Sequence, residues 1–207
     1  MNNNSLYNDL YFSIAEKIRT SIETKSNNDL QPDNQPDTLF NVLLIDSRKE
    51  TSSIASFIDD EISKVIAFFN RNYKSRLLSL IYSDSFEPGY ANNSIAFIKD
   101  LFKYGENAVV QWISQLYQEN LNEPRILIGL LHINIYFSQE FHSVGIIMAL
   151  AAMTNKSQEV KELGVRVLES NCCIEHYQAL KSIKCEDIWL MDYIEQVISD
   201  FEEELCL

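Results

Sequence analysis

Glycine and proline are scarce in this chain, five and four among 207 residues. Tight turns and glycine-rich sheets depend on both, so their shortage argues against an all-β protein. Long apolar runs are also missing. The two most apolar windows are Ile126–Phe137, interrupted by His132 and Asn134, and Val144–Met153. Both fall short of the roughly 20 residues a bilayer crossing needs, so no membrane span is expected. Met1–Phe12 has no basic region followed by an apolar stretch, so no secretory leader is expected. Cysteine is limited to Cys172, Cys173, Cys185 and Cys206, without a framework spacing. In a chain of this size they read as reduced thiols, and the chain as cytoplasmic.

Positive charge is the last shortage. Lysine and arginine total 17 against 30 aspartates and glutamates, for a formal net charge of −13. Through Tyr104 the chain carries 11 basic and 14 acidic residues; from Gly105 onward it carries 6 and 16. A polyanion repels phosphate backbones and anionic lipid, so neither nucleic acid nor a membrane surface is an expected partner. A basic protein is the natural complement, with solubility alone as the plainer use of the charge.

What is present points to a helical globule. Apolar residues make up 46% of a 24.0 kDa chain, enough to bury a core in one to one and a half average domains. Leu6, Leu10, Ile14, Ile18 and Ile22 draw one stripe along a helix over about Ser5–Thr24. Lys25–Asp37, with Pro32 and Pro36 among polar residues, reads as a linker. Leu39–Ile45 is either a short buried strand or the start of a helix, since periodicity does not separate the two. Ile54, Phe57, Ile58, Ile62, Val65, Ile66 and Phe69 predict a helix over Glu50–Asn70, and further helices are predicted over Lys74–Tyr82, Ser94–Tyr104 and Glu106–Glu119. Ser83–Asn93, containing Glu87-Pro88-Gly89, reads as a loop.

Later helix starts are marked by their caps. Asn122-Glu123-Pro124 places an acid and a proline in a first turn, Ser138 opens a helix through Met153, and Ser157 opens one through Glu169. Helices over Cys173–Ile183 and Glu186–Leu205 follow. The expected fold is therefore all-α: antiparallel helix pairs stacked as a short α-solenoid or an irregular bundle. The windows Ile126–Phe137 and Val144–Met153 are apolar on nearly every side and are expected to be buried all round. The alternation in His132–Phe137 leaves an α/β alternative, in which that segment would join a small sheet including 39–45.

Glu159-Val160-Lys161-Glu162-Leu163-Gly164-Val165-Arg166-Val167-Leu168 resembles the first helix of a HEAT-type repeat, with Ile174–Ile183 as its partner. A preceding repeat would cover Pro124–Met153 and a following one would begin at Glu186. Starts near 124, 157 and 186 are about 33 and 29 residues apart, against about 40 in the family. The proline and aspartate that often mark its turns are missing here. The resemblance covers about 122–205 and implies a helical repeat region over 122–207. Residues 1–121 then form an amino-terminal helical region, with its polar linker at 25–37, packed as one domain with the repeats.

Chemistry is sparsely marked. There is no Gly-x-Ser-x-Gly elbow, and Gly89, Gly105, Gly129, Gly145 and Gly164 form no phosphate-cradling cluster. General-base candidates near neutral pH are His132, His142 and His176. His132 sits in the most apolar window, where a core histidine is the expected role. Cys172-Cys173-x-x-His176 with Cys185 is the best metal candidate, but adjacent cysteines at a helix start diverge, so no metal or cofactor is expected. Asp59-Asp60-Glu61 fan apart along a helix and read as a solvated face.

The last helix carries the sharpest feature. Glu186–Leu207 holds eight acidic residues and no lysine or arginine. Ile188, Met191, Ile194, Val197/Ile198, Phe201 and Leu205 are expected to form its buried stripe, with Trp189 and Tyr193 beside it. Aromatic anchors flanked by carboxylates suit an interface with a basic protein, which makes Trp189, Asp192, Tyr193, Glu195 and Asp200 the candidate partner-binding residues. The expected function is a non-enzymatic protein-binding module, in concrete form a bacterial immunity protein or inhibitor covering a basic toxin or nuclease surface. The alternatives are a small hydrolase-type enzyme with a site assembled from His132, His142 and Asp59–Glu61, or a structural subunit of a larger assembly.

Overall fold

The computed structural model describes residues 59–87, 92–185 and 187–205. Helix 5–24, the linker at 25–37 and the segment 39–45 lie outside the described residues. Asp60–Leu207 forms a unit distinct from Met1–Asp59. Every regular element among the described residues is helical: α1 (59–72), α2 (Lys74–Ser83), α3 (Asn93–Leu101) running into a 3-10 turn (Phe102–Tyr104), α4 (Glu106–Glu119), α5 (Pro124–Tyr136), α6 (Ser138–Met153), α7 (Gln158–Glu169), α8 (Ile174–Ser182) and α9 (Ile188–Glu204).

Helix α5 is the hub. Pro124 supplies its first turn with a fixed φ and no missing donor, and Ile126–Leu131, Ile133 and Asn134 are all buried. A helix apolar all round needs neighbours on every side. It packs against α2, α3, α4, α6 and α7. Gly129 makes the α2 contact close: a Cβ there would lie 2.4 Å from Ile81 Cγ2. The strand alternative for His132–Phe137 is overturned, since α5 runs through Tyr136 and the Phe137 amide bonds the Ile133 carbonyl at 3.0 Å. Burial on all sides favours the helix, which satisfies its own backbone groups.

Helices on both sides of residue 121 contribute to one core, in which Phe69, Trp112, Leu130, Phe141, Val165 and Ile194 are all fully or almost fully buried. The second apolar helix departs from expectation. Helix α6 buries Phe141, Gly145, Met148, Ala149 and Ala152, yet Ile147 is 65% exposed and Leu150 37%. It is also bent at His142, whose φ of 35° and ψ of −123° interrupt the helix.

The loop after α2 is fixed from both ends. The buried Asp84 carboxylate accepts the Asn93 and Ser94 backbone N–H groups at 3.0 and 2.8 Å and the Ser94 hydroxyl at 2.6 Å. It thereby caps α3 from nine residues upstream, where Asn92 provides no side-chain cap. Arg125 of α5 donates to the Asp84 carbonyl. Phe86, with a positive φ of 56°, stacks on His132 at 4.7 Å and lies under the Arg125 guanidinium.

Candidate functional site

Helix α9 docks against α7 and α8 through Leu190, Ile194, Val197 and Phe201. This stripe differs from the expected one at its start: Leu190 is buried, and Ile188 is 77% exposed. Leu190 leads into Ile194 at i+4, Ile188 leads into it through Met191 in steps of three, and the packing of α7 and α8 selects Leu190. The periodicity from Leu190 was as legible as the one from Ile188, so the signal for the missed residue was present but not unique.

With about 100° between successive residues, the five candidate positions fall into two groups. Trp189, Tyr193 and Asp200 run down one flank of α9, while Asp192 and Glu195 lie with Ile188 on the side away from the core. Trp189 is 37% exposed. Tyr193 is partly buried and donates its hydroxyl to Glu169 of α7. Burial, with Glu169 adding to it, pushes the Tyr193 hydroxyl well above the ordinary phenol value. Tyr193 thus ties α9 to α7, and its hydroxyl is committed within the fold.

The acids of α9 divide in the same way. At its start, Asp187 pairs with Lys161 of α7. Near its end, one Glu202 oxygen accepts from Lys181 at 2.9 Å and from the Tyr177 hydroxyl at 2.8 Å, both on α8. Lys181 and Tyr177 hold the Glu202 carboxyl below its ordinary value. These two acids therefore face cations of neighbouring helices and fasten both ends of α9. Asp192, Glu195 and Asp200 are exposed, and no cation among the described residues pairs with them. Two carboxylates on the open side and one on the flank of a helix without lysine or arginine create a field that attracts cations.

The other candidates are placed apart from this face. His132 stacks flat on Phe86. Burial, with Arg166 and Arg125 nearby, holds its ring below the ordinary histidine value, which leaves it neutral at pH 7. His142 is exposed at the bend of α6. His176 is buried and bonds the Leu168 carbonyl through Nδ1 at 2.8 Å, a packing role. Asp60 and Glu61 both pair with Lys64, at 2.8 and 2.7 Å. Cys172, Cys173 and Cys185 are free thiols. Cys185 Sγ points to the Asp187 carbonyl at 3.7 Å, and burial together with Glu204 raises the Cys172 thiol above its ordinary value. Among the described residues no three histidine, cysteine, aspartate or glutamate side chains converge as metal ligands, and no described helix is long and apolar enough to cross a membrane.

No family model, curated protein or solved structure matches the chain.

Proposed function

We propose that this chain is a non-enzymatic protein-binding module whose α9 engages a basic protein partner. The observation that carries the reading is the sorting of carboxylates on α9. Asp187 and Glu202 are matched by lysines of the same fold, whereas Asp192, Glu195 and Asp200 are exposed without a cation among the described residues. Asp192 and Glu195 share a side of α9 with Ile188, which is 77% exposed, and Trp189 next to it is 37% exposed. Acidic residues steer a cationic partner, and Ile188 and Trp189 supply apolar area to hold it. A HEAT-like stack is part of the proposal, and it is supported by the side-by-side packing of α5 with α7 and of α7 with α9, the first helices of the successive pairs. In its most concrete form the module is an inhibitor, of the immunity-protein kind, that covers a cationic active surface of a toxin.

The test is capture by the immobilised full-length chain from its native host's lysate, at low and moderate salt, with the retained proteins identified. A basic protein held by the wild type and lost from D192K/E195K/D200K is the expected result. Unchanged capture by a folded triple variant would remove α9 from the interface. A second reading, a subunit of a larger assembly, is favoured by the exposed Ile147 and Leu150 of α6. It predicts that I147E/L150E, and not the α9 variant, abolishes capture.

A further inference from the structure

We propose that α9 also engages the α2–α3 face of a second copy of this chain, so that molecules associate head to tail. This inference rests on reading α9 as a partner face and adds a copy of this chain as an occupant of it. It begins from which cations the fold leaves unmatched. Lys64, Lys74, Lys161, Arg166 and Lys181 each have a carboxylate within 3 Å. Arg71, Arg76, Lys99, Lys103, Lys156 and Lys184 are exposed and have none among the described residues, although acids outnumber bases 30 to 17, and three of the six, Arg76, Lys99 and Lys103, lie on α2, α3 and the turn that follows. Asp100, the acid on α3, pairs with none of the three.

These cations are also placed together. The Arg76 guanidinium carbon lies 4.9 Å from the centre of the Phe97 ring, and Lys103 Nζ lies 5.2 Å from that of Tyr104. Both rings flank Tyr73, at 5.7 and 6.4 Å. Lys99 sits one helical turn before Lys103. An aromatic row behind the cations lowers the local dielectric and strengthens their attraction for carboxylates. The α9 face has the complementary makeup: Asp192 and Glu195 beside exposed Ile188, and Asp200 farther along the helix, all without a cation among the described residues.

Charge along the chain follows the same division. Residues 60–104 carry six basic and five acidic side chains, and residues from 105 onward carry 6 and 16. The net charge of −13 opposes self-association at long range. At physiological salt the screening length is about 8 Å, so apposed patches dominate over distant charge. Because the two faces differ, the contact is heterologous and extends to rings or open chains instead of closing as a two-fold dimer.

Sedimentation velocity on the full-length chain tests this from about 5 to 200 µM protein, in about 0.1 M and about 1 M salt. The expected result is a sedimentation coefficient that rises with concentration at the lower salt and returns to the monomer value at the higher. R76Q/K103Q and D192N/E195Q/D200N, each with wild-type circular dichroism, should be monomeric alone. Their equimolar mixture should give a 1:1 heterodimer, because one intact basic face and one intact acidic face then remain on different chains. A wild type that is monomeric throughout, or that associates equally well with either set replaced, overturns the proposal. Lysate capture of a foreign basic protein through α9 would survive that result, so the two readings fail separately.

Discussion

His142 occupies φ 35° and ψ −123° within α6, a region open to glycine and costly for any residue with a Cβ. Replacing it with glycine relieves strain worth about 1–3 kcal/mol and forfeits roughly 0.5–1 kcal/mol of helix propensity. H142G is therefore expected to raise stability by about 1 kcal/mol in urea unfolding, and H142A to bring no such gain. Equal midpoints for the two variants would remove strain as the cause. Asp84 gives a residue-scale prediction with a pH sign. Burial alone raises its carboxyl, but hydrogen bonds from Ser94 and Asn93 outweigh that and hold it below the ordinary value of 3.8. A folded-state value lowered in this way adds stability that is complete above the unfolded value and is lost as pH falls through the folded one. D84N should cost about 2 kcal/mol at pH 7, and its difference from wild type should shrink on acidification below the ordinary carboxylate range. A deficit unchanged at pH 7 and at low pH would assign the loss to packing instead of charge. Neither feature was legible in the sequence: His142 lies in an uninterrupted helical pattern, and the Asp84 cap spans a turn-rich loop whose path local pattern does not define.

At the scale of elements, close packing sets the cost of change. Alanine normally improves a helix over glycine by up to about 1 kcal/mol. At Gly129 the added Cβ would stand 2.4 Å from Ile81 Cγ2 and 2.9 Å from Cγ1, so the steric term wins. G129A is expected to destabilise by about 1–3 kcal/mol. In the I81A background, which removes the obstructing atoms, the same change should be near neutral or stabilising, as read in a double-mutant cycle of urea midpoints. Additivity of the two would contradict this contact as the reason for the glycine. Much at this scale was readable in the sequence. The span Glu106–Glu119 is the observed α4, and Ser138–Met153 is the observed α6, because Gly105 with its φ of 117° and the short link after Tyr136 punctuate the pattern. The apolar stripe of α9 was readable only in part. Ile188 and Leu190 both satisfy helical spacing, and the choice belongs to α7 and α8, whose position local pattern does not contain. The same reason explains α6: an all-apolar helix predicts burial all round, yet only packing decides that Ile147 faces outward.

For the molecule as a whole, the organising feature is how charge is distributed around one helical core. Helix α5 is enclosed, α7 lies beside it, and α9 packs on α7 with its acids divided between the fold and solvent. The shortage of basic residues after Gly105 made the acidic character of this region readable from the sequence. Which carboxylates are neutralised was not, because Lys161 and Lys181 reach α9 from separate helices, 26 and 21 residues away in sequence. The account's central claim is that the two sets of α9 carboxylates do different work. The most direct measurement compares D187N/E202Q with D192N/E195Q/D200N for both urea-unfolding midpoint and retention of the basic partner identified by capture. The account predicts that the first pair lowers stability, by up to about 1 kcal/mol for each exposed or half-exposed ion pair. The second set should leave the midpoint within about 0.5 kcal/mol of wild type and lose the partner. A second set that destabilises as much as the first, or that retains the partner undiminished, would contradict it.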